Sequence, residues 1–513
     1  MSRLSEPVPA SPEEGGTTPP SSNTAGGSKV RRIVIRNALF LGIAQIAGMP
    51  LSMLASAVSA RYLGAAAMGL LYLATSMNSI GNLVVDWGQS GCLPQLVAKD
   101  RTRAGILLGT SLFWRTAVSV VVVAFLLLLS RISGYGDAFV PVLALVAVGY
   151  FFSSISGACQ QVIVGFERTD ISAYAKLLEQ FSNVLIIVPI LMLGGGLSAM
   201  LAGSAVSVVI TAGYAWRSLR LVGVANVAFD RGMLRTLMVA STPFAFSSVV
   251  AVLQPYIDVL FLSKISTAEA VGWYATAAKL VGVLIFPASA VIGALYPTLS
   301  RLYATNSKEF LDVSSGALRG TTVMAVPIAL GCLLYPEIGI SIFNRAEFRP
   351  AEDDLRVLSL FVFLVYFTMP LGVSILAAGK QRAWAIIQTI CVIVSAIADP
   401  LLIPLFERRM GNGGVGVCVA GVISEVCVLL CAVWMVPKGT FDKRFVRTIV
   451  GALLGGVGMA AVSFLGRGLN SFLTAPLAVI VYGAIAWLTG GVDPAFVRDV
   501  NRVFGSKLAR FRS

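Results

Sequence analysis

The chain has 513 residues, of which 57% are apolar and only 12% charged, with a net charge of +14 and no histidine. Without histidine there can be no His-ligated metal site, histidine base or histidine proton relay, and no Gly-x-x-x-x-Gly-Lys-Ser/Thr phosphate loop is present for ATP hydrolysis. No cofactor is expected, and nucleic-acid binding is excluded because no soluble domain exists to carry a basic, aromatic-bearing surface.

Residues 1–29 come first, rich in Pro, Ser, Gly and Thr. They read as a disordered cytoplasmic tail, without the apolar core of a secretory signal. Nearly charge-free runs of about 20 residues then recur, long enough to span a bilayer. They lie near 34–60, 66–97, 105–130, 139–165, 171–193, 197–217, 236–263, 270–300, 314–335, 355–378, 384–405, 414–436, 446–466 and 473–491. Strands of a β-barrel would be about 10 residues long and alternating, which these are not. The fold class expected is an all-α polytopic membrane protein with about fourteen transmembrane helices.

Between the spans, charge gives orientation. Lys99, Arg101, Arg103, Arg217, Arg220, Lys443, Arg444 and the tail from Arg498 to Arg512 fall on the side of the N-terminus, and far fewer cations fall on the other. That asymmetry predicts cytoplasmic termini and contact with anionic membrane lipids. The stretch 336–356 reads as a solvated outer loop with an interfacial helix. Its Asp353 and Asp354 are surrounded by Arg345, Arg349 and Arg356, which argues against a metal-dependent transferase site. The seven cysteines lie within or at the ends of spans, lack metal-ligand spacing and read as small apolar fillers.

The chain also repeats itself. Arg61-Tyr62-Leu63-Gly64 running into Gly69 is echoed about 203 residues later by Ser263-Lys264-Ile265-Ser266 running into Gly272. Each phrase follows an apolar helix containing a proline, Pro50 or Pro255. The charged turns Gly165–Arg168 and Gly379–Arg382 form a second echo. Duplicated bundles of this kind are mostly transporters.

Ionisable groups inside spans cost about 2.5–3.5 kcal/mol each to insert and usually face protein or water. Seven stand out: Asp86, Arg115, Glu179, Asp258, Lys279, Asp399 and Glu425. Asp258 lies about 9 Å deep from the outer end of its span, and Lys279 about 13 Å deep in the next. The two could form a structural ion pair, or Lys279 could line a cavity beside an acid that releases it. Arg115 could bind phosphate oxygens through its planar guanidinium, or could snorkel or pair with Glu179. Glu425, near mid-membrane with no basic neighbour in sequence, is suited to take up and release a proton. Asp86, in Asp86-Trp87-Gly88-Gln89-Ser90-Gly91 before Pro94, marks a bent helix. Asp399, followed by Pro400, reads as interfacial.

Taken together, the chain resembles the polysaccharide transporter family, the Wzx-type oligosaccharide flippases, within the multidrug/oligosaccharidyl-lipid/polysaccharide exporter superfamily. The motifs are Ala60-Arg61-Tyr62-Leu63-Gly64 with Gly69, Asp86-Trp87-Gly88, Ile257-Asp258, Val271-Gly272-Trp273-Tyr274, Ala277-Ala278-Lys279-Leu280, Leu295–Arg301, Ile342-Phe343-Asn344 with Phe348, and Gly379-Lys380. Asn344 stands where the family usually has glycine. The resemblance implies two six-helix lobes in a V, a central cationic cavity and two extra C-terminal helices. The corresponding segments are a six-helix lobe at 30–232, a second at 233–440, two additional helices at 441–491 and a basic cytoplasmic tail at 492–513.

The function it implies is not enzymatic: a flippase in the cell inner membrane that moves polyprenyl-pyrophosphate-linked oligosaccharides for surface polysaccharide biosynthesis. The expected partners are the lipid-linked oligosaccharide, membrane lipids, and the polymerase and chain-length proteins of the same pathway. The cationic cavity is assigned to Arg115, Lys279 and Arg61, and proton coupling to Glu425, Asp258, Glu179 and Asp86. Three other functions are weighed against it. A lipid II flippase would carry more arginine in the first two spans, and a multidrug or cation antiporter would have an acid-rich cavity. A glycan polymerase or ligase needs a large outer loop with catalytic residues.

Overall fold

The computed structural model describes residues 24–224, 226–343 and 346–491. Among these residues helices account for nearly all regular structure and no strand forms, as continuous apolar sequence dictates. Twelve helical segments are long and apolar enough to cross a membrane. The first of them, Gln45–Lys99, covers two of the expected spans, and the helix over Arg231–Ile265 is not among the twelve. The chain is an all-α, multi-pass membrane protein.

Helix α1 (Thr24–Asp86) is bent at Gly64, whose φ of 83° no side-chain-bearing residue adopts readily. The expected loop between the first two spans is therefore reduced to a single glycine kink. The helix also begins inside the segment assigned to the N-terminal tail. Residues 1–23, Asn344, Arg345 and the tail at 492–513 lie outside the described residues. At the far end of α1, Trp87 (φ 42°) and Gly88 (φ 73°) break the helix before α2 (Gln89–Lys99) resumes it. The bend expected around Asp86 is present.

After α2 come α3 (Ala104–Ile132), α4 (Phe139–Gly165), α5 (Thr169–Met192) and α6 (Leu197–Leu219), which pack with α1 into a first group. The second group contains α7 (Arg231–Ile265), α8 (Ala268–Thr305), α9 (Ser307–Leu334), the short α10 (Pro336–Ser341), α11 (Ala351–Ala377), α12 (Gln381–Met410) and α13 (Gly414–Met435). Two further helices, α14 (Lys443–Leu465) and α15 (Ser471–Leu488), pack on each other and on α9. Tyr482 of α15 donates to the Val323 carbonyl of α9 at 2.7 Å, and Arg319 of α9 pairs with Asp442, which caps α14, at 2.6 Å. Lipid-facing surfaces are apolar, as on α3, where Val120, Val121, Phe125 and Leu128 are all exposed.

The region read as a solvated loop is more ordered than expected. Residues 351–377 form one helix, and Asp354 in its first turn is fully buried, accepting a 3.1 Å hydrogen bond from Asn412. Asp354 lies against Asn412 and Gly414 at the start of α13, and Phe343 and Phe348 of the same region are fully buried as well. Five of the seven cysteines are buried and none is in a disulfide, as expected for small apolar fillers.

The two groups meet tightly where α1 kinks. Gly69 of α1 lies against the backbone of α8, where an added Cβ would sit 1.8 Å from the Ala268 oxygen. Gly272 of α8 returns the contact, its would-be Cβ 2.1 Å from the Ala65 oxygen. These are the two corresponding glycines of the repeated phrase. Around them the Ala65 amide, newly orphaned by the kink, donates to Glu347 Oε1 at 2.8 Å, and Trp273 Nε1 donates to the Glu347 carbonyl at 2.5 Å. Tyr135 and Ser263 share a 2.9 Å hydroxyl contact, and the Lys264 ammonium donates to the Ser133 carbonyl while lying over the Tyr135 ring.

Candidate functional site

A polar cavity of about 450 Å³ opens between α1, α4, α5 and α6 on one side and α8 on the other. Its polar lining is built at helical spacing. Ser56 and Ser59 lie three apart on α1, Tyr150 and Ser153 three apart on α4, and Glu179 and Asn183 four apart on α5, so each pair shares one face. Ser204 on α6 and Thr75 on α1 complete the hydroxyl set. Only one residue comes from the second group: Lys279, whose ammonium reaches in from α8.

Lys279 is exposed to this space. Its side chain has no hydrogen-bond or ion-pair partner among the described residues, and neither does the Glu179 carboxylate, which is half-buried in the opposite wall. Of the two alternatives for Lys279, the ion pair with Asp258 does not form. Asp258 is 95% buried on the far side of α7, where Ser395 Oγ donates to its Oδ1 at 3.0 Å. The side chain of Asp399 also lies against Asp258. Asp399, read as interfacial, is fully buried among helices, and no amide, hydroxyl or guanidinium donates to it. Ser395 and Asp399 are four apart on α12, a spacing that aims both at α7.

Arg115 is placed elsewhere. Only 2% exposed, it lies inside the first group, away from the cavity lining. Its guanidinium pairs with Asp86 at 2.5 Å, not with Glu179, and also donates to the Ser154 carbonyl at 3.1 Å and to Gln89 and Gln161, both at 3.4 Å. Asp86 in turn accepts from the Ser90 amide at 3.2 Å and hydroxyl at 2.6 Å, capping the start of α2 beyond the break. The charges of this cluster are matched and hydrogen-bonded, with the Gln89 Nε2 amide alone left without an acceptor among the described residues, and such matching is what a buried ion pair needs. Arg61 lies at the seam, donating to the Ile342 carbonyl at 2.9 Å. Glu425, expected to stand unpaired, accepts a hydrogen bond from Thr368 and does not line the cavity.

A second cavity, about 740 Å³, lies between α9, α11, α13 and α14 and is almost wholly apolar, with Leu330, Phe363, Val422 and Leu453 among its walls.

The hydroxyls and the Asn183 amide escaped attention in the sequence because each is unremarkable alone. The signal available was pairing at three- or four-residue spacing within apolar spans.

Comparison with known proteins gives the molecule its place. Solved structures share its fold. The chain is similar to "Lipid II flippase MurJ, inward closed conformation", with a TM-score of 0.72 at 12% identity over 90% of this chain and 99% of that one. It is similar to an inward-facing multidrug resistance MATE family transporter of the MOP superfamily, with a TM-score of 0.61 at 16% identity over 75% of this chain and 94% of that one. The outward-facing conformation of a MATE family transporter of that superfamily matches with a TM-score of 0.51 at 16% identity, over 79% of this chain and 94% of that one. Comparison with curated protein sequences gives no match. Residues 34–303, more than half of the length, match the family model described as "Polysaccharide biosynthesis protein", and the chain belongs to that family.

Proposed function

We propose that this protein is a flippase that moves polyprenyl-pyrophosphate-linked oligosaccharides across the cytoplasmic membrane for surface polysaccharide biosynthesis. One observation carries the reading: a hydroxyl-rich cavity between the two helix groups, with the unpaired ammonium of Lys279 in it. A hydrated, anionic glycan head cannot cross about 30 Å of hydrocarbon unaided. In the cavity, Lys279 neutralises a phosphate oxygen and the serine, threonine and tyrosine hydroxyls replace water around the sugars. Rocking one group against the other, with the glycine seam parting, would turn the opening to the other side.

Of the three cations first assigned to the site, Lys279 is the one this reading retains for substrate. Arg115 is proposed to hold α2 to α3 and α4, and Arg61 to fasten the seam. The membrane is taken to be the cytoplasmic one, with both termini inside, and the exported unit would pass to polymerising and chain-length proteins.

The test is export. Lys279→Ala in a strain lacking the chromosomal copy should reduce surface glycan at least tenfold, with the protein still present in the membrane by immunoblot. Full export by that variant at equal protein level overturns the reading.

A further inference from the structure

The cavity holds two unpaired charges of opposite sign on opposite walls, and the negative one has no role in binding a phosphate. We propose that Glu179 is a specificity residue that admits neutral or amine-bearing sugars next to the diphosphate and rejects acidic ones. The inference rests on the lipid-linked glycan reading above and deepens it by naming the substrate class.

The argument is one of donors and acceptors. The polar walls supply the Asn183 amide and hydroxyls such as those of Ser59, Thr75 and Ser204, which accept as they stand and can donate by turning from their own backbone carbonyls, so they tolerate almost any sugar. Glu179 differs. An ionised carboxylate only accepts, so whatever faces it must present a donor: a hydroxyl, an amide N–H or an ammonium. A uronic acid in that place would set two acceptor-only anions face to face in a partly dehydrated space, with nothing between them to bridge.

No ion pair among the described residues closes on this charge, although the Lys176 ammonium, one turn away on α5, lies within electrostatic range of it. The nearest basic residue on α5, Lys176, is turned to Gln45, with Nζ to Oε1 at 2.6 Å, and is exposed outside the cavity lining. Lys279 faces the cavity from the other helix group and is left for the phosphate. By contrast Asp86, Asp258 and Glu425 each have a protein partner. Among the intramembrane acids at issue, Glu179 is the one that both lines the cavity and is left for the ligand.

Purified full-length protein in nanodiscs can be titrated with three short-chain prenyl diphosphate sugars bearing glucose, glucosamine or glucuronic acid, with binding read by thermophoresis. The native protein should bind the glucose and glucosamine compounds at least tenfold more tightly than the glucuronate. Glu179→Gln should bring the glucose-to-glucuronate ratio within about threefold of unity, mainly by improving glucuronate binding. Asn183→Asp, which places a second acid one turn further on the same face, should widen the ratio and guards against a folding defect in the first variant. Lys279→Ala should weaken all three compounds without changing the ratio. A ratio unchanged by both Glu179→Gln and Asn183→Asp overturns the filter while leaving the flippase reading standing. Failure of the native protein to bind any of the three sinks both.

Discussion

At the residue scale, two buried groups, Arg115 and Asp258, meet partners other than those weighed from the sequence, and each change has a consequence. The Arg115–Asp86 pair is enclosed, its side chains 3% and 15% exposed, so removing one partner strands a charge in protein. Such a loss costs about 3–5 kcal/mol, far more than an exposed pair. Arg115→Ala is therefore expected to lower the thermal midpoint of the detergent-purified protein by several degrees and to reduce its amount in the membrane. An unchanged midpoint with lost export would return Arg115 to the cavity. The second case concerns coupling. With no histidine and no phosphate loop, carboxyl groups are the groups left to carry a proton. The Asp258–Asp399 contact adds a candidate to Glu425, because two buried carboxyl groups side by side repel when both are charged, and one proton relieves that repulsion. In proteoliposomes containing a pH dye and a supplied lipid-linked glycan, Asp399→Asn should abolish substrate-dependent proton movement if the pair carries it. Glu425→Gln should do so if the mid-membrane acid does. Proton movement that survives both substitutions refutes carboxylate coupling through these sites.

At the scale of elements, the seam between α1 and α8 depends on having no side chain where they cross. Gly69 and Gly272 occupy corresponding places in the two repeats and pack against one another's neighbours, so the duplication builds its own contact surface. Glu347, from the segment before α11, accepts from the amide exposed by the Gly64 kink and so ties one group to the other. Gly69→Val drives methyl groups into the Ala268 carbonyl and should hold the seam apart. With Cys427 and Cys431, the partly exposed thiols, replaced by serine, a cysteine at Ser59 reports the outcome. Its labelling by a membrane-impermeant maleimide from outside should rise severalfold in the Gly69→Val background. Unaltered labelling means that the seam does not gate the cavity.

At the scale of the molecule, orientation and architecture separate what is local from what is not. Reporter fusions should place the N-terminus, the 99–104 turn and the C-terminal tail in the cytoplasm, and the 336–353 segment outside. A cytoplasmic 336–353 segment would reverse the orientation drawn from the cations. The helices, the membrane class, the break at Asp86–Gly88 and the repeat were all legible in the amino-acid order. Each depends on what happens within one or two turns of chain: an unbroken apolar run, a glycine that accepts a positive φ, a phrase written twice. Tertiary structure alone decided which charges meet. Asp258 and Asp399 are 141 positions apart and Asp86 and Arg115 are 29 apart, and whether such groups touch depends on how each helix is rotated about its axis. That rotation is set by packing over the whole helix surface, by buried side chains such as Phe343 and Phe348 or by glycines at a crossing, and a charge's depth in its own span carries no record of it. The same rotation brought Lys279 and Glu179, a hundred residues apart, into the lining of one cavity with no ion pair between them.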